Sequence, residues 1–423
     1  MTNTFLFAVW AGGGNVPPQL TLARRLAARG HRVRMLAPAV LRERVEAAGL
    51  VFEPYRHTPE HDESDPARSL VRDFAHRSPV AASKAVRDHL LLDMAAPVAA
   101  DVLAILNSHR VDAVATDYTL LGALFAAEKA EIPAAALVHH TYPYPAPGLP
   151  PFGMGWQPAP GLRGTLRDRL GTTMFNRFWA VPMRPRLNEV RRGLGLDPAH
   201  GVLDLVERTD RILVLTSRAF DFPAELPANV RYVGPQLEEP DWAAPWQPPW
   251  PTSDTRPLVI VGLSTTYQRQ ESLLDATVSA LGALSVRGLV TTGPVDGHAS
   301  RVPANVHVCR HVPHGRALPY ADAVVTHAGH GTVIAALAHG LPLVCLPMGR
   351  DQHDNAARVA WHRAGLRLSS KSSPARIAAA VRTVLDDATY RQAAQHIAKA
   401  IIDEKPSHAG PNELESLAAT RTS

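Results

Sequence analysis

The chain has 423 residues, more than one hydrophobic core usually organises, so two domains are expected. A composition of 46% hydrophobic and 20% charged residues excludes a disordered or fibrous chain. The formal charge of +5 reads as arginine spread along helices such as LARRLAARGHR, a solvated-face pattern that argues against nucleic acid as a partner.

The opening MTNTFLFAVWAGGGN has no basic residue before its apolar run and no small-residue cleavage site, so it reads as a first β-strand and not a signal peptide. Leu20, Ala23, Leu26 and Ala27 then recur at helical spacing, with Pro17 and Pro18 in the first turn and Gly30 at the stop. The strand HRVRMLAP follows and completes a βαβ unit, the signature of a parallel sheet. Further strands are VDAVATD, ending at Asp117, and IPAAALVHH, ending at His140, with a helix GALFAAEKA between them. Their carboxyl ends should line one crevice.

Two long irregular stretches interrupt this half, RHTPEHDESDPARS and TYPYPAPGLPPFGMGWQPAPG. Long loops of this kind are commonly functional, and the second is rich enough in aromatics and proline to shape an apolar pocket. Residues 237–257 break the rhythm with many prolines and read as a linker. The βα rhythm then resumes with PLVIVGLST, VRGLVTTG, NVHVCRHV, ADAVVTHAG, LPLVCLP and GLRLSS, so a second doubly wound domain is expected.

No stretch reads as the roughly 20 uncharged apolar residues that span a bilayer. Cys309 and Cys345 sit in apolar strand-like runs, as reduced core thiols of a cytoplasmic protein would. The 20 histidines show no zinc spacing, so no metal site is expected.

The chemistry concentrates in THAGHGTVIAALAHGLPLVCLPMGRDQHDNAARV, from Thr326 to Val359. Here a strand ends at a glycine-rich turn that opens directly into a helix, an arrangement that favours a bound phosphate. The order H-x-G-x-G-T, apolar helix, G-x-P, apolar strand and D-Q-x-x-N-A resembles the carboxy-terminal motif of family 1 glycosyltransferases, of the bacterial natural-product group. AGGGNVPPQLTLARRLAARGHRV and SRAFDFPAELPANVRYVGP extend the likeness over nearly the whole chain.

That resemblance implies a GT-B fold, two Rossmann-like α/β domains with an interdomain cleft. Residues 1–236 would bind the acceptor, 258–400 would bind the nucleotide sugar, and the tail 401–423 would return as a helix to the first domain. It implies that Ser264, Thr265, His327, Gly329, His330, Gly331 and Thr332 surround the donor diphosphate, and that Asp351 and Gln352 hold sugar hydroxyls. His311 would stack on the base, where another aromatic is more usual in the family, and the Val312 backbone would meet the base edge.

In the first loop this family normally carries a histidine that takes the acceptor's proton, and here the position holds Asn15. An amide has no useful basicity, so Asn15 can only orient an acceptor or a water. Asp117 is the first candidate for base, on the expectation that a desolvated cleft raises its pKa, although a strand-end carboxylate also serves simply to cap a turn. His139 and His140 are the next candidates and, with Asn15 and Tyr142, would face the acceptor.

The function implied is inverting, metal-independent transfer of a sugar from a UDP- or dTDP-sugar to a small, largely apolar acceptor, without a cofactor; a homodimer is compatible with it. Two alternatives stand beside it: an auxiliary homologue with reduced catalysis, and a nucleotide-sugar epimerase of the same fold.

Overall fold

The computed structural model describes residues 2–421 apart from 77, 238–245, 265 and 294–301. In β1 (Thr4–Ala8), Phe5 and Phe7 join one apolar layer while Leu6 and Ala8 join another, so both faces are buried, as a central parallel strand requires. β2 (Arg32–Ala37), β3 (Val51–Pro54), β4 (Ala113–Asp117), β5 (Ala134–Val138), β6 (Arg211–Val214) and β7 (Val230–Tyr232) complete a parallel sheet in the order β3-β2-β1-β4-β5-β6-β7. The proline-started helix Val16–Ala28 links β1 to β2, burying Leu20, Ala23 and Leu26.

The second sheet repeats the plan. Along β8 (Leu258–Gly262), Leu258 and Ile260 face one layer and Val259 and Val261 the other. With β9 (Arg287–Thr291), β10 (Val306–Cys309), β11 (Ala323–Thr326), β12 (Leu343–Cys345) and β13 (Gly365–Arg367) it forms the parallel order β10-β9-β8-β11-β12-β13. Two doubly wound α/β layers therefore stand in one chain, as the alternation of strands and helices predicts. Sequence reading passed over β3, β6 and β7, which are three or four residues long and at or near the sheet edges.

Trp246 and Trp250, at the described end of the proline-rich segment, pack on the second core. The helix Pro406–Ala419 lies on the first sheet, where Leu414, Leu417 and Ala418 join Phe5 and Leu22, and Glu415 meets Arg29 (3.0 Å) and His31 (2.9 Å). Among the described residues one helical run, Val80–Ser108, is long and apolar enough to cross a bilayer by length and composition. Leu90, Leu91, Val98 and Val102 bury it in the first domain's core, and this accounts for its apolar character.

Candidate active site

Sheet order reverses between β1 and β4 and again between β8 and β11, and the crevices beyond the carboxyl ends at such points are where α/β sheets bind ligands. On the first wall Asp117 ends β4, wholly buried. Its Oδ2 accepts from Asn15 Nδ2 (3.0 Å) and Gln19 Nε2 (2.6 Å), and its Oδ1 from the Thr119 backbone N–H (3.1 Å) and hydroxyl (2.6 Å). His139 Nδ1 stands 3.4 Å from Oδ2, near but without an aligned hydrogen bond. Burial pushes this carboxyl up, yet His139 and the Thr119 hydrogen bonds prevail and bring it down to about 2. The expectation of a raised pKa is thus corrected: so fully hydrogen-bonded a carboxylate is a poor proton acceptor.

Asn15 is buried and donates to the Trp10 carbonyl (3.0 Å) as well as to Asp117, while its Oδ1 has no protein partner. His140 is also corrected as a base. Its Nδ1 donates to the Thr141 carbonyl (2.7 Å), which leaves Nε2 to accept from the Tyr118 hydroxyl (2.8 Å). Burial, and then the neighbouring His139, take its pKa down to about 3, so the ring is neutral and both nitrogens are engaged. It stacks on Phe152 at 5.1 Å, and Tyr118 packs edge-on against it and Tyr144, so the aromatic loop does reach this wall. Tyr142 is buried with Val138 and Phe222 and contributes to the core instead of lining open space. His139, with 18% of its side chain exposed, is the imidazole left facing the crevice.

The second wall is built by two turns. After β11 the chain passes through His327 and a left-handed Ala328 (φ 68°) into the helix His330–Ala338. A Cβ on Gly329 would stand 2.4 Å from His327 Nε2, so only glycine leaves room for that ring. His327 Nδ1 faces the Gly262 carbonyl at 3.4 Å, and burial takes its pKa down to about 4. The ring is therefore neutral at pH 7. His330 is buried, its Nε2 has no protein partner, and burial lowers it to about 4 as well. Gly331 is exposed and Thr332 half-buried at the helix start.

The other turn, Met348–Asp351, contains a second left-handed residue, Arg350 (φ 52°). Non-glycine residues in this region typically cost about 1–3 kcal/mol and cluster at functional sites. Asp351 accepts from Asn355 Nδ2 (2.7 Å) and is held below the usual carboxylate range, against its burial, by the imidazoles of His140 and His330 and by that hydrogen bond. It therefore sits between the two walls. Gln352 differs from expectation: it is buried, its Oε1 accepts from the Met348 and Gly349 N–H groups (2.8 and 3.1 Å), and its Nε2 donates to Gln268 (2.9 Å). Its amide holds the turn that presents Asp351. Ser264 is buried and accepts from Gln268 Nε2 (2.9 Å); Thr265 lies outside the described residues. Val312 is buried and His311 is exposed beside it.

Over 396 residues the chain is 34% identical to 4'-demethylrebeccamycin synthase of Lentzea aerocolonigenes, covering 91% of this chain and 92% of that one. The chain belongs to the natural-product glycosyltransferases of family 1. Residues 284–416 of this glycosyltransferase match the family described as Erythromycin biosynthesis protein CIII-like, C-terminal domain. Its fold is shared with the glycosyltransferase of kitacinnamycin (TM-score 0.76, 21% identity, 98% of this chain and 99% of that one). It is shared also with the glycosyltransferase VinC, solved with dTDP (TM-score 0.68, 20% identity, 99% and 100%).

The glycosyltransferase latches its walls together with residues that sequence reading missed. Arg350 makes a two-pronged ion pair with Asp73 (2.6 and 2.8 Å), and Phe74 packs edge-on against Tyr267. Gly153 and Gly155 of the aromatic loop donate their N–H groups to Asp354 (2.6 and 3.0 Å), whose carboxyl burial raises to about 6. The arginine beside the D-Q pair was the available signal for the first latch. Nothing local marked the second.

Proposed function

We propose that this glycosyltransferase moves a sugar from a UDP- or dTDP-sugar to a small, largely apolar acceptor by direct displacement, with inversion and without a metal. The observation that carries the reading is the pairing, across one crevice, of an accessible His139 beside a charged Asp117 with a glycine-rich helix start and Asp351. We assign the acceptor to residues 1–236, where Tyr118, Tyr144 and Phe152 supply apolar surface, and the donor to 258–400.

Asp117 favours the His139 tautomer with hydrogen on Nδ1, so Nε2 keeps its lone pair for the acceptor's proton. The acceptor atom then bonds to the anomeric carbon while the bond to the diphosphate breaks, and the leaving group takes that electron pair. N–H groups at the start of His330–Ala338 answer its charge. Asp351 accepts from sugar hydroxyls, and Asn15 Oδ1 orients the acceptor.

Incubation with uridine and thymidine diphosphate sugars and a panel of aglycones should give a product heavier by one sugar, its anomeric configuration opposite to the donor's. A retained configuration, or release of free sugar with every acceptor, would sink the proposal. Transfer should persist in excess EDTA; loss restored by magnesium or manganese would refute metal independence. Because His327 is neutral, His327→Ala should raise the nucleoside diphosphate Kd by about two- to tenfold, the worth of a neutral hydrogen bond. An unchanged Kd in titration calorimetry would remove His327 from the site.

A further inference from the structure

The helix Gly161–Phe175 and the wider π-helical turn Asn176–Ala180 that continues it carry an apolar ridge on the outside of the molecule. Leu162, Leu166 and Leu170 are 90%, 70% and 61% exposed, followed by Met174, Phe178 and Val181. They fall at steps of four residues, then three. With about 3.6 residues per turn each step of four advances about 40°, so the row winds from Leu162 toward the flank at Met174 as exposure falls. The wider turn at Asn176–Ala180 checks the drift, over about 24 Å from Leu162 to Phe178.

The inner face is made by glycine. Gly171 lies where a Cβ would stand 2.6 Å from Pro151 and 3.3 Å from Trp156, so the helix seats on the aromatic loop through a residue without a side chain and presents the large ones to solvent. Gly164 makes room for the Ala159 carbonyl just before the helix. Exposed apolar rows of this length mark interaction sites.

Charge says what kind of partner fits. Residues 161–186 hold six arginines and one aspartate, an excess equal to the formal +5 of the whole chain. Arg167 is engaged by Asp168 and Trp156, and Arg186 by Asp93. Arg163, Arg169, Arg177 and Arg184 are exposed and have no side-chain ion pair or hydrogen bond among the described residues. A symmetric dimer through this face would set like against like, because an isologous contact pairs the same patch with itself. An apolar row flanked by free arginines matches instead an anionic bilayer surface, with the leucines at the acyl boundary and the guanidinium groups among the phosphates.

We propose that the face Leu162–Val181 docks this glycosyltransferase on anionic lipid, lying in the interface without spanning it. The test is flotation of the full chain with phosphatidylcholine vesicles, with and without phosphatidylglycerol, at low and high salt. The chain should float only with the phosphatidylglycerol vesicles and be released by salt. Arg163→Gln and Arg169→Gln should each weaken association about fivefold, the worth of one arginine near such a surface. The doublet Leu166→Gln, Leu170→Gln should weaken it by about tenfold or more, with an unchanged circular dichroism spectrum, since both side chains stand in solvent. No flotation at low salt overturns the proposal. So does flotation that ignores lipid charge or survives the doublet. A chain that stays off vesicles but forms a concentration-dependent dimer abolished by the doublet would make the ridge an interface between copies, and the proposal fails. Because the readout is binding, failure here is distinct from failure of the sugar-transfer reading.

Discussion

His139→Gln should lower turnover by about 10²–10⁴-fold, the usual worth of general-base assistance, with the Kd for nucleoside diphosphate unchanged. Of the two adjacent imidazoles only His139 can do this work, because His140 spends one nitrogen on the Thr141 carbonyl and the other on the Tyr118 hydroxyl. Glutamine keeps a polar group of similar reach but has no basicity, so the loss reads the proton transfer and not the packing. Steady-state kinetics with a saturating donor separates the outcomes. A fall in kcat/KM with unchanged diphosphate affinity supports the base. If His139→Gln keeps more than about a tenth of the parent turnover, the acceptor loses its proton without help from this residue, and the assignment is wrong. His140→Gln is the control, and should disturb Tyr118 and acceptor affinity more than the pH profile.

The difference between these neighbours also marks the limit of sequence reading. Two histidines at one strand end look equivalent along the chain. They are separated by contacts made in space: Tyr118 occupies one ring, while Asp117 stands beside the other. The strand ends themselves were legible, because apolar runs punctuated by glycine and proline fix where parallel strands stop. The glycine-rich turn at His327 was legible for the same reason, whereas Asp351 was singled out only by the family resemblance of the D-Q pair. The ionisation of Asp117 was not legible, since it depends on His139, just beyond the neighbouring strand, and on a Thr119 hydroxyl whose direction only the folded turn sets. Gln352 was misread because its amide is consumed by Gln268 and by its own turn, and a D-Q pair does not reveal which of its members remains free. The Asp73–Arg350 latch joins residues 277 apart, across two domains whose closure no local pattern encodes.

Asp221→Ala should destabilise the protein by about 3–5 kcal/mol, the cost of leaving a buried charge without its partner. Asp221 accepts from Arg358 Nε and Nη2 (2.8 and 2.7 Å), from the Tyr232 hydroxyl (2.6 Å), and from the N–H groups of Tyr142 and Phe222 (3.1 and 2.8 Å). Neither side chain of the ion pair is more than 5% exposed, and Arg358 also lies over the Phe222 ring at 4.2 Å. The pair ties the segment after β6 to the helix Gln352–Trp361, whose amino end presents Asp351, so it joins the two halves beside the crevice. Burial raises the Asp221 carboxyl, but Arg358 and the hydrogen bonds bring it below its ordinary value. A depressed carboxyl contributes stability above its unfolded pKa, about 4, and loses it as the pH falls further. The gap between parent and Asp221→Ala in urea unfolding should therefore be full at pH 7 and close in acid. Adding Arg358→Met to Asp221→Ala removes the stranded charge and should recover a large part of the loss, a non-additivity expected only of partners in contact. Additive losses, or a gap that does not narrow below pH 4, would show that the bridge does not hold the halves together.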